Sequence, residues 1–302
     1  MIPIIDPVDR TLILKELTAD KLLRKTNNGG NEIYVVTARN SPNIMQELGR
    51  LRELSFRDAG GGTGAAVDID AEDTAEEGYQ QLFVWDPKAQ EIVGGYRFIV
   101  SRTPHPKHMS TEHYFRFSDK FRNEFLPYTI ELGRSFIVNE YQRKPVSLML
   151  LWKGILNVLL RHDEFRYLMG PVTISGEFQN SSKLLIAAYL RNRHLDRENA
   201  RHIHPRTGIA VPARIDETLI EGIDSIELIN KIVCDIEQNR FTIPILIRKY
   251  LQVGARVLGF NTDHAFCDGL DALILVDLAQ VPEKTILMLS KEMTDIDVIG
   301  RF

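Results

Sequence analysis

A mixed β-sheet flanked by helices, class α/β or α+β with an elaborated second half, is the fold this sequence predicts. Three observations carry it. Hydrophobic spacing switches repeatedly between the strand period and the helix period. Two apolar runs flank Asp86-Pro87-Lys88, a hairpin signal. The longest apolar run, residues 145–160, is apolar around nearly its whole circumference, as in a helix buried against a sheet.

The elements follow in order. "EIYVVTA" (32–38) reads as a strand, and "NIMQELGRLRELSF" (43–56) has helical spacing with Pro42 just ahead of it. A glycine-rich, then acidic loop runs to the hairpin strands "QQLFVWD" (80–86) and "EIVGGYRFIV" (91–100). After a polar stretch, 102–127, come strand 129–138, helix 145–161, strand 167–175 and helix 181–191. Residues 192–242 are charged and weakly patterned, an insertion of short helices and loops. A helix at 243–254, a strand at 270–278 and a helix at 283–293 close the pattern. With no repeat, low-complexity tract or linker, residues 1–302 read as one domain, its core about 30–191 and 243–293.

Composition removes several classes of function. The 302 residues carry a formal net charge of −4, which gives no support for nucleic-acid binding. Cys234 and Cys267 form no C-x-x-C pattern, so they read as small buried hydrophobes in a reducing cytoplasm. "MIPIIDPVDR" has acids and prolines where a signal peptide has a cationic start and an apolar stretch. Lys153, Gly154 and Asn157 interrupt the 145–160 run, which is too short for the ~30 Å hydrocarbon core. His105, His108, His113, His202 and His204 lack the spacing of a zinc hydrolase, so no metal site is read, and no Gly-x-Ser-x-Gly elbow is present.

What remains is a set of charged residues in apolar surroundings. Glu131 and Arg134 would lie on opposite faces of a regular strand, but a β-bulge at the intervening Gly133 would bring both to one face. Glu131 then either accepts a proton from an attacking amine, with Arg134 setting its charge and position, or forms a buried pair that only fixes the sheet. Arg52 and Arg97 must find carboxylates, and the 68–77 loop supplies them. The alternatives are an internal network or a bidentate fork on an acceptor's carboxylate. "GGGTG" (60–64) lacks the context of a phosphate loop and reads as a mobile lid or a plain flexible loop. Gln142-Arg143-Lys144-Pro145 puts two cations at a strand-to-helix turn, where unpaired N–H groups and the helix dipole favour an anion.

Taken together, Arg52-x-x-x-Phe56, Asp70-x-x-Asp73, "GGYRF" with Arg97, and Glu131-x-x-Arg134 resemble the GNAT acyltransferases. The likeness is to their acyl-carrier-protein-dependent branch, which holds the autoinducer synthases and the ornithine-lipid and glycine-lipid N-acyltransferases. "YLMGPVTIS", "PILIRKYLQVGARVLG", and Phe266 with Asp271 favour the lipid enzymes, some of which carry an old "hemolysin" label.

The resemblance implies a GNAT-like fold and transfer of a long-chain fatty acyl group, 3-hydroxylated or not, from acyl carrier protein to the amine of an amino acid of glycine or ornithine type. It implies Glu131, Gly133 and Arg134 at the reacting centre, with the bulge's freed N–H on the thioester carbonyl. Arg52, Phe56, Asp70, Asp73 and Arg97 would shape the acceptor pocket. Phe136 and Trp152 would line an acyl tunnel or be simply core. Arg143, Lys144 and Ser147 would meet the phosphate of the acyl-phosphopantetheine arm of a carrier protein, or of coenzyme A. An aminolipid product is compatible with peripheral contact at the inner face of the cytoplasmic membrane. An acetyl- or acyl-coenzyme A transferase and a non-catalytic acyl-carrier or lipid-binding module are the alternatives.

Overall fold

The computed structural model describes residues 1–26, 30–142, 146–162, 164–208, 220–264 and 268–291. Helix α1 (Arg10–Glu16) leads to an antiparallel pair, β1 (Leu22–Lys25) and β2 (Glu32–Val36). Pro42 opens helix α2 (Pro42–Asp58), at a position where its missing N–H has no helical partner to lose. The one-turn helix α3 (Ala71–Thr74) is closed by a reciprocal cap. Asp70 accepts from the Asp73 N–H at 2.9 Å and Asp73 from the Asp70 N–H at 3.3 Å, which explains the three-residue spacing of these acids.

Strands β3 (Gln80–Asp86) and β4 (Glu91–Ser101) form the hairpin, in which Asp86 Oδ1 accepts from the backbone of Lys88 and Ala89. The polar stretch holds β5 (Phe115–Phe117) and α4 (Asp119–Glu124), and then comes β6 (Thr129–Ile137). Beyond it lie α5 (Asn139–Gln142), α6 (Val146–Leu160), β7 (Tyr167–Ile174), α7 (Asn180–His194) and β8 (Ile203–Pro205). Helices α8 (Ile226–Ile236) and α9 (Ile245–Gln252), strands β9 (Arg256–Asp263) and β10 (Gly269–Asp277), and helix α10 (Glu283–Ser290) complete the described elements. Within 192–242, Ile220, Ile223, Ile229 and Val233 join the same core as α7.

Eight strands form one sheet in the order β1-β2-β3-β4-β6-β7-β10-β9, antiparallel everywhere except between β6 and β7. A second sheet pairs β5 with β8. On one face α2 and α4 pack over the large sheet; on the other, α6 and α7 do. The parallel pairing is short: Thr129↔Tyr167, Ile130↔Leu168 and Glu131↔Met169, after which the strands diverge. Gly170 sits at the vertex, where a Cβ would overlap the Leu132 carbonyl. Meanwhile β7 stays paired with β10 as far as Ile174↔Leu270. The sheet is therefore split by a V-shaped cleft that opens beyond Leu132 and Gly170. Among the described residues, no helix is long and apolar enough to cross a membrane.

The bulge falls one residue later than the sequence places it. Arg97 pairs with Gly133 and Gly95 with Phe136, so the extra residue on β6 lies between 133 and 136, and Arg134 takes the left-handed φ of 49°. Gly133 has room for a methyl group, with the nearest atom 3.4 Å from an ideal Cβ. The parity does flip. Glu131, Arg134 and Phe136 share the α2 face, while Ser135 meets Tyr96 on the other. One consequence is a correction: Phe136 packs with Ile44 and Leu48 beneath α2, so it cannot line a tunnel with Trp152, which lies on the α6 side.

Two further expectations are revised. The "GGGTG" segment is fastened: fully buried Glu53 accepts from the Thr63 N–H at 3.0 Å, the Thr63 hydroxyl at 2.6 Å and the Gly64 N–H at 2.8 Å. Ser175, just past β7, donates to the Gly60 carbonyl at 2.5 Å, so the segment straps the far end of the cleft. Cys234 is half-buried and donates to Asn239 Oδ1 at 3.2 Å; Phe266 and Cys267 lie outside the described residues.

Candidate active site

Arginine on an apolar strand brings its partners with it. Arg97, buried in β4, donates to Asp70 at 2.6 Å and to the Ser110 hydroxyl at 2.8 Å, and pairs with Asp73 at 3.2 Å. Its guanidinium also lies 4.3 Å from the centre of the Tyr79 ring. Arg52, fully buried in α2, reaches Asp73 at 3.2 Å and makes a short hydrogen bond to Gln81. Arg134 pairs with Asp68 at 3.1 Å and Asp70 at 3.6 Å. Three guanidinium groups thus face Asp68, Asp70 and Asp73 in a charge-balanced frame. This decides the alternatives for Arg52 and Arg97, whose forks are taken up inside the protein.

The frame sets the charges of its own members. Burial alone would lower the proton affinity of Arg97, but Asp73, Tyr79 and Asp70 outweigh it and raise the pKa. Burial pushes Asp70 up, and Arg97, the Asp73 N–H and Arg134 together more than reverse it. Asp68 stays raised, because its burial exceeds the pull of Arg134 and Arg52. Phe56 packs half-buried beside this frame, in the apolar cluster under α2.

Glu131 stands next to that frame but is held by other groups. One carboxylate oxygen, Oε1, accepts from the Tyr79 hydroxyl at 2.8 Å and the Thr111 N–H at 3.0 Å, and the Ser110 N–H donates to the same tyrosine at 3.0 Å. The pairing of Glu131 with Arg134 read from the sequence is not formed, because Asp68 and Asp70 take the arginine. Oε2 is buried and has no hydrogen-bond partner among the described residues. Burial raises the Glu131 pKa to about 7, against the bonds from Tyr79 and Thr111 and the charge of Arg97, which lower it. A buried carboxyl that titrates near neutrality, with one oxygen free, is equipped to take up a proton.

Across the sheet the chemistry changes completely. An apolar cavity of about 70 Å³ lies between the sheet and helices α6, α9 and α10. Leu132, Leu168, Trp152, Leu156, Tyr250 and Ile286 are among its walls. Trp152 stacks on Tyr250 with ring centres 5.9 Å apart. Leu132 and Leu168 edge the cavity one residue from Glu131 and Met169, so it lies behind the sheet from Glu131, next to the vertex of the cleft.

Tyr79, Gln81, Ser110, Thr111 and Asp68 belong to the site although the sequence does not single them out as site residues. Of the proposed phosphate ligands, Arg143 and Lys144 lie outside the described residues. Ser147 is buried and donates to the Tyr141 carbonyl at 3.0 Å, so its O–H serves the turn and is not presented to a ligand.

Known proteins resemble this chain. A family model described as "Acetyltransferase (GNAT) domain" matches residues 51–153, the span that holds the second half of α2, the hairpin, β6 and the first half of α6. The chain is 36% identical over 297 residues to the glycine N(alpha)-acyltransferase of Phocaeicola vulgatus, covering 93% of this chain and 90% of the relative. The protein of the same name from Bacteroides thetaiotaomicron is 36% identical over 295 residues, covering 93% and 87%. Among solved structures, the CoA-dependent acyl-homoserine lactone synthase BjaI matches with a TM-score of 0.46 and 12% identity, over 90% of this chain and 98% of that one. FeeM, an N-acyl amino acid synthase from uncultured soil microbes, gives 0.45 and 9%, over 85% and 97%. On its relatives and its domain match, the chain belongs to the glycine N(alpha)-acyltransferase family, and it is an acyltransferase with a GNAT domain.

Proposed function

We propose that this enzyme transfers a long-chain fatty acyl group from the phosphopantetheine thioester of acyl carrier protein to the amine of glycine, giving an N-acyl amino acid. The observation that carries the reading is the cleft between β6 and β7, with a buried carboxyl on one face and an apolar cavity on the other. The acyl chain enters the cavity beside Trp152, and its carbonyl lies at the vertex near the bulge. The amine nitrogen bonds to that carbon as the C–S bond breaks. Of the ammonium's three protons, one stays on the amide, one goes to the departing sulfur, and the surplus one passes to Glu131, directly or through water. The bulge between Gly133 and Phe136 supplies the backbone N–H for the developing oxyanion. Glycine as acceptor follows the name of the relatives that are 36% identical. The apolar walls of the cavity suit an alkyl chain.

The donor's carrier is read from Arg143 and Lys144, two cations between α5 and α6 without the glycines that let a backbone wrap a pyrophosphate. A lipid product would leave the cavity for the inner face of the cytoplasmic membrane. The test is mass spectrometry of products from purified protein supplied with acyl-carrier-protein or coenzyme A thioesters and a panel of amino acids. Long-chain N-acylglycine as the main product supports the reading; consumption of acetyl-coenzyme A alone overturns it. Reversing the charge of Arg143 and Lys144 should weaken use of the carrier protein more than use of a free pantetheine thioester.

A further inference from the structure

The lip of the cleft opposite Arg134 carries an acid of a different kind. Thr173, Asp271 and Asn261 are direct cross-strand partners on β7, β10 and β9, so their side chains share one face. It is the face of Glu131, because Met169, the partner of Glu131, has the same parity as Thr173. Thr173 is four residues beyond that last parallel pair. The row therefore lies where β6 and β7 have separated, past the vertex.

We propose that Asp271 binds the ammonium group of the amino-acid acceptor, on the lip of the cleft facing Arg134; this rests on the N-acyltransferase reading above. Asp271 is 2% exposed, and its Oδ2 has no hydrogen-bond partner among the described residues. The other oxygen accepts from the Thr173 hydroxyl at 2.6 Å. Asn261, the cross-strand neighbour, is held through its own Oδ1, which accepts from the Thr207 N–H at 2.9 Å. Thr173 and Asn261 both favour the ionised form of Asp271. Asp68, Asp70 and Asp73 all face arginine, but no lysine or arginine among the described residues forms an ion pair with Asp271. A buried carboxylate held by a hydroxyl, beside a neutral amide and left without a cation, is suited to a cation that arrives with the substrate.

The surroundings fit an amine. Asn261 and Asp263 line a polar recess together with Tyr114, whose hydroxyl is held protonated by burial and by the charge of Asp271. Asp263 adds a second negative charge from β9. Burial and Asp263 raise the Asp271 pKa to about 6 against Thr173 and Asn261, so the carboxylate is ionised at neutral pH and able to hold an ammonium ion there. Arg134, on the opposite lip, is near enough to Tyr114 to lower its proton affinity.

The test compares the parent enzyme with Asp271→Asn and Thr173→Val, using glycine and a long-chain acyl-pantetheine thioester. In Asp271→Asn the KM for glycine should rise at least tenfold and the KM for the thioester stay within twofold. Thermal stabilisation by a non-hydrolysable acyl-pantetheine thioether should persist. Thr173→Val removes a donor to the ionised carboxylate, so the acidic limb of kcat/KM for glycine should move to higher pH. An unchanged glycine KM in Asp271→Asn, or a loss of thioether binding with it, overturns the assignment. Failure of the parent to acylate any amino acid overturns the N-acyltransferase reading and this inference with it.

Discussion

The two lips of the cleft handle negative charge in opposite ways. On the β4–β6 lip, Asp68, Asp70 and Asp73 are each matched by arginine. On the β7–β10–β9 lip, Asp271, as buried as Asp68 and Asp73, accepts from a hydroxyl and pairs with no cation among the described residues. Glu131 resembles the second lip in its bonding and the first in its location. The difference teaches that buried charge in this protein has two uses. A balanced frame fixes geometry, whereas an unbalanced carboxyl is kept ready for a ligand or a proton.

The largest expected effect breaks the balanced side. Asp73→Ala should remove about 3–5 kcal/mol of stability, because Arg52 and Arg97 are left buried without a shared partner. Asp271→Asn should leave stability unchanged or higher at pH 8, since it removes an uncompensated buried charge. Denaturant titration of both variants reads the contrast, and equal losses would erase the distinction.

Glu131→Gln comes next. Loss of a general base should lower kcat by roughly 10²–10⁴-fold, while the bonds from Tyr79 and Thr111 still have an acceptor in the amide oxygen. Unchanged turnover would return Glu131 to a structural role.

A smaller effect follows from pH. The Glu131 pKa is raised on folding from 4.5 to about 7, so the folded state binds more protons than the unfolded one between those values. Its contribution to stability is full below the unfolded pKa and is lost as pH rises through the folded one. Stability of Glu131→Gln relative to the parent should therefore increase from pH 5 to pH 8.

The smallest effects separate two glycines. Gly170→Ala should cost about 1–3 kcal/mol, because the methyl group meets the Leu132 carbonyl at the vertex. Gly133→Ala should change stability by less than about 1 kcal/mol, because contacts at 3.4–3.6 Å from Arg97 are ordinary packing.

How much of this was legible depends on how local each signal is. The hairpin, α2, β6, α6 and β10 could be read because periodic apolar spacing and turn residues lie within a dozen positions. Strand β9 was not, since "RVLGFNTD" begins with a cation and is broken by Gly259. Helix α8 has a strong apolar stripe but sits in a charged stretch that obscures it. At the site, Arg52, Arg97 and Glu131 stand out as charges in apolar runs. Tyr79, Gln81 and Thr111 do not, because ordinary polar residues acquire their roles only when distant segments converge, as with Thr111 and Glu131. The bulge was legible as a parity problem, but its position was not, because glycine marks where a left-handed φ is easy and the chain placed it at Arg134. Asp271 carried the same signal as Glu131, an acid at the head of the apolar run "LDALILV", yet only the register shows that it faces the cleft.

The central claim is that thioester and amine meet where β6 and β7 part. A crystal structure with a non-hydrolysable long-chain acyl-pantetheine thioether tests it directly. The account predicts the acyl chain among Trp152, Leu156 and Ile286, with the carbonyl at the vertex beside the bulge at Arg134. An acyl chain bound elsewhere, with the α6 cavity empty, would contradict it.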